Sequence, residues 1–419
     1  MKLITIRQTS QAVTFILFVL LLLFTVYPFA RILPVDFFLR LDPLVALVSM
    51  IASGTVIINM FIAFILVILT LIFGRFFCGY ICPLGSFIDF CNTVFFKKPK
   101  KKETPYPKSN RNIKYFILTG VIAGSMLGAN VLHFCSPMSI FTRVFTTVIF
   151  PPIIRFLNFI IDISRPLNIA LGIDPLAHLS FRQLYFSGTT VTFIIIISII
   201  AANFWRKRFW CRYICPTGAL LSLFSRFAIL KRKVVKEKCN DCVLCASSCD
   251  MRAIKEHPRE TVLSECTLCG SCERACNRNV NSIGFTNFGI GNDDGKLMVP
   301  RRKFIYSTVT GIIGASALKA GIHNKKDING RFIRPPGSVP EQDFLSQCIR
   351  CGECMKVCKT NGLQPSNLDH GLDVLWTPRL IPRQGACEDK CNMCGHVCPT
   401  QAIRPLPLEE KLFVKIGTA

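Results

Sequence analysis

Eight cysteines between positions 239 and 276 constrain this 419-residue chain more than any other feature. They read Cys239-x2-Cys242-x2-Cys245-x3-Cys249, then Cys266-x2-Cys269-x2-Cys272-x3-Cys276. Three thiolates within seven residues can wrap three corners of one iron–sulfur cluster, and the fourth cysteine of each run reaches across to the other. The spacing therefore predicts one [4Fe–4S] cluster on Cys239, Cys242, Cys245 and Cys276, and a second on Cys266, Cys269, Cys272 and Cys249. Zinc prefers two separated Cys-x2-Cys pairs, and disulfide frameworks belong to short secreted chains. Tandem recurrence of the run argues against both.

The pattern returns near the C-terminus. Cys348-x2-Cys351-x2-Cys354-x3-Cys358 is regular, whereas Cys387-x3-Cys391-x2-Cys394-x3-Cys398 has one extra residue in its first gap. The same crossing rule predicts a third cluster on Cys348, Cys351, Cys354 and Cys398, and a fourth on Cys387, Cys391, Cys394 and Cys358. Sixteen of the 22 cysteines are thus expected to hold iron.

The rest of the chain is too apolar for an ordinary soluble protein, with 51% hydrophobic residues and a mean hydropathy of +0.42. Four segments free of Asp and Glu are predicted to span a membrane: 12–30, 55–74, 114–132 and 189–205. The run 12–30 is longer than a signal-peptide core, so no cleavable leader is expected there. The net charge of +25 first suggests nucleic acid. The basic residues instead flank apolar spans, and no nucleic-acid partner is expected. Lys97, Lys98, Lys100, Lys101, Lys102, Lys108 and Arg111 crowd loop 75–113, and Arg206, Lys207, Arg208 and Arg212 follow the fourth span. Positive charge stays inside. This puts the N-terminus and the central cluster module in the cytoplasm.

A repeat lies at the inner ends of the second and fourth spans. Phe77-Cys78-Gly79-Tyr80-Ile81-Cys82-Pro83 matches Trp210-Cys211-Arg212-Tyr213-Ile214-Cys215-Pro216. Asp42-Pro43-Leu44 and Ser136-Pro137-Met138 form a weaker pair on the other side. Two helical hairpins related by a pseudo-two-fold follow. Proline suits the first turn of a helix, so Cys82 and Cys215 are predicted at helix N-termini, leading into interfacial amphipathic helices over 84–96 and 217–230. Cys78, Cys82, Cys211 and Cys215 are expected to meet as a redox site, either around a further metal centre or as disulfides. Cys91 and Cys135 lack counterparts and read as structural. No haem is expected, because His133 lies at a span edge and His178 in an outer loop, and a bis-histidine haem needs two facing ligands.

Residues 277–300 read as a linker. Arg301-Arg302-Lys303-Phe304-Ile305 then precedes a mildly apolar run to Ala317, resembling a twin-arginine signal, with an ordinary fifth span as the other reading. Cleavage after Ala317 or Ala320 is compatible with the first. Either carries the last module outward.

On these motifs the chain resembles a fusion of two ferredoxin-type families. Residues 1–290 resemble the NapH/MauN type, by the four spans, the doubled Cys-x3-Cys-Pro and the central module. Residues 300–400 are similar to the NapG/MauM type of exported ferredoxin. Asp250, Asn277 and Lys359 depart from the proline usual after a fourth cysteine. The resemblance implies a membrane α-helical fold with two small α+β ferredoxin-like modules. The units are residues 1–235, a transmembrane domain; 236–290, a cytoplasmic module; 291–322, a linker and fifth apolar segment; and 323–419, an extracytoplasmic module. It also implies a multi-pass bacterial inner-membrane location and a quinol dehydrogenase-type electron-transfer component of an oxidoreductase. Quinone or quinol is then the substrate. An extracytoplasmic redox protein and a cytoplasmic donor are the expected partners. Related membrane polyferredoxins imply the alternative of metal-centre or oxidase maturation.

Overall fold

The computed structural model describes residues 2–27, 29–95, 111–170, 180–255, 257–278, 280–285, 301–322, 332–368 and 371–414. Most of the basic loop, His178 and the linker from 286 to 300 therefore lie outside the described residues.

Ten helices carry the architecture: α1 Lys2–Leu23, α2 Pro43–Ser53, α3 Ile62–Phe73, α4 Pro83–Phe95, α5 Ile113–Met126, α6 Pro137–Val144, α7 Phe150–Ala170, α8 Thr190–Trp205, α9 Pro216–Ser225 and α10 Arg301–Ile322. Two stretches are long and apolar enough to cross a membrane on their own, Leu3–Leu23 and Pro137–Pro166. The first starts earlier than the expected span 12–30. The second, running through α6 and α7, falls in loop 133–188, which the hydropathy reading left without a span. Arg143 interrupts its apolar run in sequence, yet in the fold this side chain is buried and in use. The other expected spans appear as shorter apolar helices, α3, α5 and α8.

Four helices begin the same way, with a capping residue followed by proline: Asp42-Pro43, Cys82-Pro83, Ser136-Pro137 and Cys215-Pro216. Proline lacks the N–H that a first helical turn cannot pair, and its fixed φ starts the helix. The Asp42 carboxylate accepts from the Leu44 and Val45 amides, capping α2. It also accepts from Ser136 Oγ, the cap of α6, and from Thr217 Oγ1 in α9, each at 3.2 Å. The N-termini of α2, α6 and α9 therefore meet at one buried carboxylate. The expected pairing of Asp42 with Ser136 is direct contact.

The two helices expected to be amphipathic differ in the fold. In α9, Pro216 through Ser222 are all buried. In α4, Pro83, Leu84, Gly85, Ser86, Ile88 and Cys91 are buried. α9 thus packs inside the bundle, whereas Phe90, Val94 and Phe95 leave one side of α4 exposed toward its C-terminal end.

α10 packs along α5 through a seam of small residues. Gly120 and Gly124 on α5 face Ser307, Gly311 and Ala315 on α10, and Ser307 pairs with Thr119 at 2.6 Å. A Cβ on Gly311 would stand 2.6 Å from the Gly120 backbone, so only glycine permits this approach. Ala317 and Ala320 both lie inside this helix.

Each cysteine module contains a two-stranded antiparallel sheet. In the central module β1 Leu230–Val234 pairs with β2 Asn281–Phe285. The pairing begins at Leu230, on the bundle side of the boundary expected at 236, and β2 occupies part of the expected linker. In the C-terminal module β3 Leu363–Pro365 pairs with β4 Pro378–Leu380.

The modules dock at opposite ends of α1. Leu3 and Ile4 lie against Gly270 of the central module. At the other end the Leu22 carbonyl accepts from Lys356 Nζ of the C-terminal module. The same end adds Ala30 and Val35, which pack with Val357, Met393 and Val397. α1 has 22 residues, so at 1.5 Å per residue its length is about 33 Å.

Candidate iron–sulfur centres

The cluster-wrapping loops repeat one backbone. Asp241, Leu268 and Arg350, each just before the second cysteine of a run, have positive φ between 50° and 60°. The residue after that cysteine is again left-handed: Val243, Gly270 and Gly352. A third left-handed residue follows the fourth cysteine by three, at Arg252, Asn361 and Gln401. Left-handed conformation is costly outside glycine and persists where the surroundings demand it. These turns point successive thiols toward a common interior. The run from Cys387, with its longer first gap, departs from the pattern, and Asn392 has φ −128°.

Three cavities gather cysteines in fours. Cys249, Cys266, Cys269 and Cys272 line one. Cys348, Cys351, Cys354 and Cys398 line a second, and Cys358, Cys387, Cys391 and Cys394 a third. In each, three cysteines come from one run and one from its neighbour. Cys239, Cys242 and Cys245 are mutual neighbours on the outer part of the central module, with Cys242 exposed. Arg232 reaches Cys245 Sγ at 3.5 Å from inside it.

The doubled motif forms a separate site within the bundle. Each copy is a π-helical turn, Phe77–Ile81 or Trp210–Ile214, that ends in an extended cysteine. Cys82 has φ −61°, ψ 115°, and Cys215 has φ −60°, ψ 110°. The two copies are thus conformationally alike. The cysteines of a pair do not share one helical face; a break in the helix turns the second thiol toward the first. All four are free, 6–9% exposed, and belong to one core cluster with Leu84, Ala219 and Phe141. Cys215 Sγ accepts the Gly218 amide at 3.3 Å, capping α9. Among the described residues no three His, Cys, Asp or Glu side chains close around a single metal ion.

Two arginines cross this site. Arg75 and Arg208 each precede the first cysteine of their copy by three residues. Arg75 is fully buried and donates through Nη1 to Glu265 at 2.9 Å and to the Ser264 carbonyl at 3.2 Å. Its Nη2 lies beside α9 of the other copy, 2.8 Å from where a Cβ on Gly218 would be, while Cys215 Sγ is 3.5 Å from the same point. Neither Nη2 nor Nε has a hydrogen-bond partner. Arg208 in turn donates to the Cys78 carbonyl at 3.4 Å and grips Asp89 on α4 at 2.6 and 2.8 Å. Burial pushes the Asp89 carboxyl up, but Arg208 and Arg7 outweigh it and hold it near about 2. Burial likewise raises Glu265, and Lys114, Arg75 and Arg111 bring it down to about 2.

A buried cation with unpaired N–H groups, two helix N-termini and four thiols suit an anionic centre. The residues present therefore fit an iron–sulfur cluster. Sequence reading missed the equivalence of the two arginines. Extending the repeat by two residues, to Arg75-Phe76-Phe77-Cys78 against Arg208-Phe209-Trp210-Cys211, would have found it.

The C-terminal module is also held by side chains of the bundle. Asn130 donates to the Ser346 carbonyl at 3.0 Å and Arg143 to the Arg350 carbonyl at 3.3 Å. The Arg143 guanidinium stacks 3.7 Å above Trp376. The segment between the two C-terminal runs thus packs on the bundle through Trp376. His133 is buried, with Nδ1 2.7 Å from the Asn130 carbonyl, and it touches Arg350.

A family described as "4Fe-4S binding domain" matches residues 55–102 and 187–237. Both matches contain a Cys-x3-Cys-Pro copy, and the second ends before Cys239. The chain is similar to an uncharacterized protein of Methanocaldococcus jannaschii, 27% identical over 53% of this chain and 76% of the relative. It is similar to the putative electron transport protein YccM of Escherichia coli, 26% identical over 50% of this chain and 51% of the relative. It is also similar to the methylamine utilization ferredoxin-type protein MauM of Paracoccus denitrificans, 36% identical over 23% of this chain and 43% of the relative. The chain spans about half or less of the two relatives with functional names. No solved structure matches. The chain is an iron–sulfur protein, and relatives named as ferredoxin-type and electron-transport proteins are among those it is similar to.

Proposed function

We propose that this chain is an integral-membrane electron relay of the quinol dehydrogenase type, linking the quinone pool to a redox protein on the outer face. The observation that carries the reading is the serial placement of thiol sites along α1. The central module touches α1 at Ile4, the doubled motif at Gln11, whose amide donates to the Gly79 carbonyl at 2.9 Å, and the C-terminal module at Leu22. At 1.5 Å per residue these levels are about 10 and about 16 Å apart. The thiols of the doubled motif therefore divide a distance that two end modules alone would leave open.

The proposed holders are the four quartets of the modules together with Cys78, Cys82, Cys211 and Cys215 for a fifth centre. Iron–sulfur clusters, when bound, supply one-electron transfer. The chain's own residues set where that happens. Arg75 and Arg208 neutralise charge among the four buried thiols, and Phe87, Phe141, Phe145 and Phe150, with centroids 4.8–6.0 Å apart, keep water from the path toward the C-terminal module. The Lys/Arg asymmetry supports a cytoplasmic central module and an outer C-terminal module.

The test is anaerobic iron and sulfide analysis with EPR on full-length protein. The reading expects about twenty iron atoms per chain, four for each of five cubanes. Cys82→Ser with Cys215→Ser should remove about four and abolish quinol-linked reduction of an external acceptor, leaving the other EPR signals. About sixteen iron atoms in wild type, with an unaffected double variant, would overturn the fifth centre. A zinc-loaded preparation would overturn the whole reading.

A further inference from the structure

A cavity of about 310 Å³ opens where the C-terminal module meets the loop after α1. One wall is bundle: Arg31 to Pro34, Arg40 and Asn59. The other is module: His396, Cys398 and Gln401. Three properties of this junction matter together.

Exposed hydrocarbon stands at its edge, at Ile32 of the lining and at Ile58 next to Asn59. Ile32 is 78% exposed and Ile58 is 76% exposed, beside the end of α1 and the start of α3. Exposed isoleucines at the end of apolar helices lie where lipid meets headgroups if the helices cross a bilayer. Its interior offers hydrogen-bond donors and no acid: two guanidinium groups, the amides of Asn59 and Gln401, and the His396 ring, with no carboxylate among the described lining residues. Asp36 fixes Arg40 through Nε at 2.6 Å, so its cation is held at the wall. Finally, Cys398 lines this cavity and also the one shared with Cys348, Cys351 and Cys354. An occupant would touch lipid-facing hydrocarbon on one side and a proposed cluster ligand on the other.

We propose that this cavity binds the ring of a membrane quinone or quinol, with Arg31, Asn59 and Gln401 at its oxygens and the isoprenoid tail leaving past Ile32 and Ile58. The inference rests on the quinol reading above and gives it a location. A volume near 300 Å³ is at the small end of ligand sites and suits a single substituted ring. Sequence reading had no route to it, because its two walls are more than 330 residues apart in the chain.

The test uses full-length protein in phosphatidylcholine nanodiscs, an azidoquinone photoprobe and peptide mapping. Labelling is expected in residues 31–40 and 392–405, displaced by decylubiquinol. Asn59→Trp, which fills the cavity from a half-buried position, should lower that labelling at least tenfold with iron content and EPR signals unchanged. Ile32→Trp, on the exposed rim, serves if the first variant folds poorly, with the same expected loss. Displaceable label on α4 or α9 would keep the quinol reading and overturn this location. Label displaced by phosphatidylglycerol but not by decylubiquinol would assign the cavity to an anionic lipid and overturn the inference. No displaceable label anywhere would overturn both readings.

Discussion

Arg208 donates to the carbonyl oxygen of Cys78, in the opposite copy of the doubled motif, at 3.4 Å. Arg75 makes the reciprocal crossing, placing its unpaired Nη2 beside Gly218 and Cys215. Each copy thus lends a buried cation to the other, Arg208 at a backbone carbonyl and Arg75 beside a thiol. A site built this way is complete only when both halves of the bundle are assembled.

Arg75→Gln should lower the reduction potential of the centre proposed at the four buried thiols. Removing a positive charge makes an added electron less favourable, by on the order of tens of millivolts at the effective dielectric of a protein interior. A redox titration followed by EPR measures this. The module signals should move less, and an unshifted buried centre would show that Arg75 serves only Glu265.

Asp89 gives a pH dependence with a defined sign. Its carboxyl is held near about 2 in the fold, against 3.8 for an ordinary aspartate. A depressed folded-state pKa contributes stability that is full above the unfolded value and is lost as pH falls through the folded one. The contribution is about 2 kcal/mol. Asp89→Asn should therefore lower the thermal midpoint by a constant amount from pH 8 to 5, and the gap to wild type should narrow below about pH 4. A gap independent of acid would mean that Arg208 does not hold this carboxylate in solution.

Sidedness is checked with reporters. An alkaline phosphatase fusion after Ala419 should be active, and one at Asn292 inactive, because Lys and Arg accumulate beside the central module. Replacing Arg301 and Arg302 by Lys should block export of the last module if the twin-arginine route carries it. Unchanged export would leave α10 as an ordinary span.

The α5–α10 seam predicts that Gly311→Leu is disruptive. The new side chain would meet the Gly120 backbone with no rotamer free of it. Overpacking of this kind costs about 1–3 kcal/mol. Protease accessibility of residues 301–322 in membranes should rise, whereas Gly314→Leu, at an open position, should leave it unchanged. Equal behaviour of the two variants would count against a fixed α10.

Much of this molecule is legible in short sequence windows, because much of it is local. A loop that turns three thiols inward needs only seven residues, so the runs at 239, 266 and 348 announce themselves and share left-handed residues at matching places. Proline after Cys82 and Cys215 starts two helices for reasons contained in the dipeptide. Charge beside apolar segments is equally visible. Hydropathy passed over the stretch Pro137–Pro166, where Arg143 breaks an apolar run in sequence and tertiary contact with Trp376 and Arg350 hides it.

What tertiary structure alone decided involves partners far apart in the chain. Asp42 joining Ser136 and Thr217, Arg75 reaching Glu265, and Arg208 crossing to Cys78 and Asp89 each close a gap of about ninety residues or more. Each such contact places a buried charge or polar group, which survives only when a specific partner is brought to it. The sequence by itself determined which cysteines belong to one loop and where helices begin, because backbone geometry settles both within a few residues. Only the packed bundle decided which side chains cross between the two Cys-x3-Cys-Pro copies and which residues of α1 receive each module. Those arrangements follow from which apolar faces bury one another, a property of the whole chain.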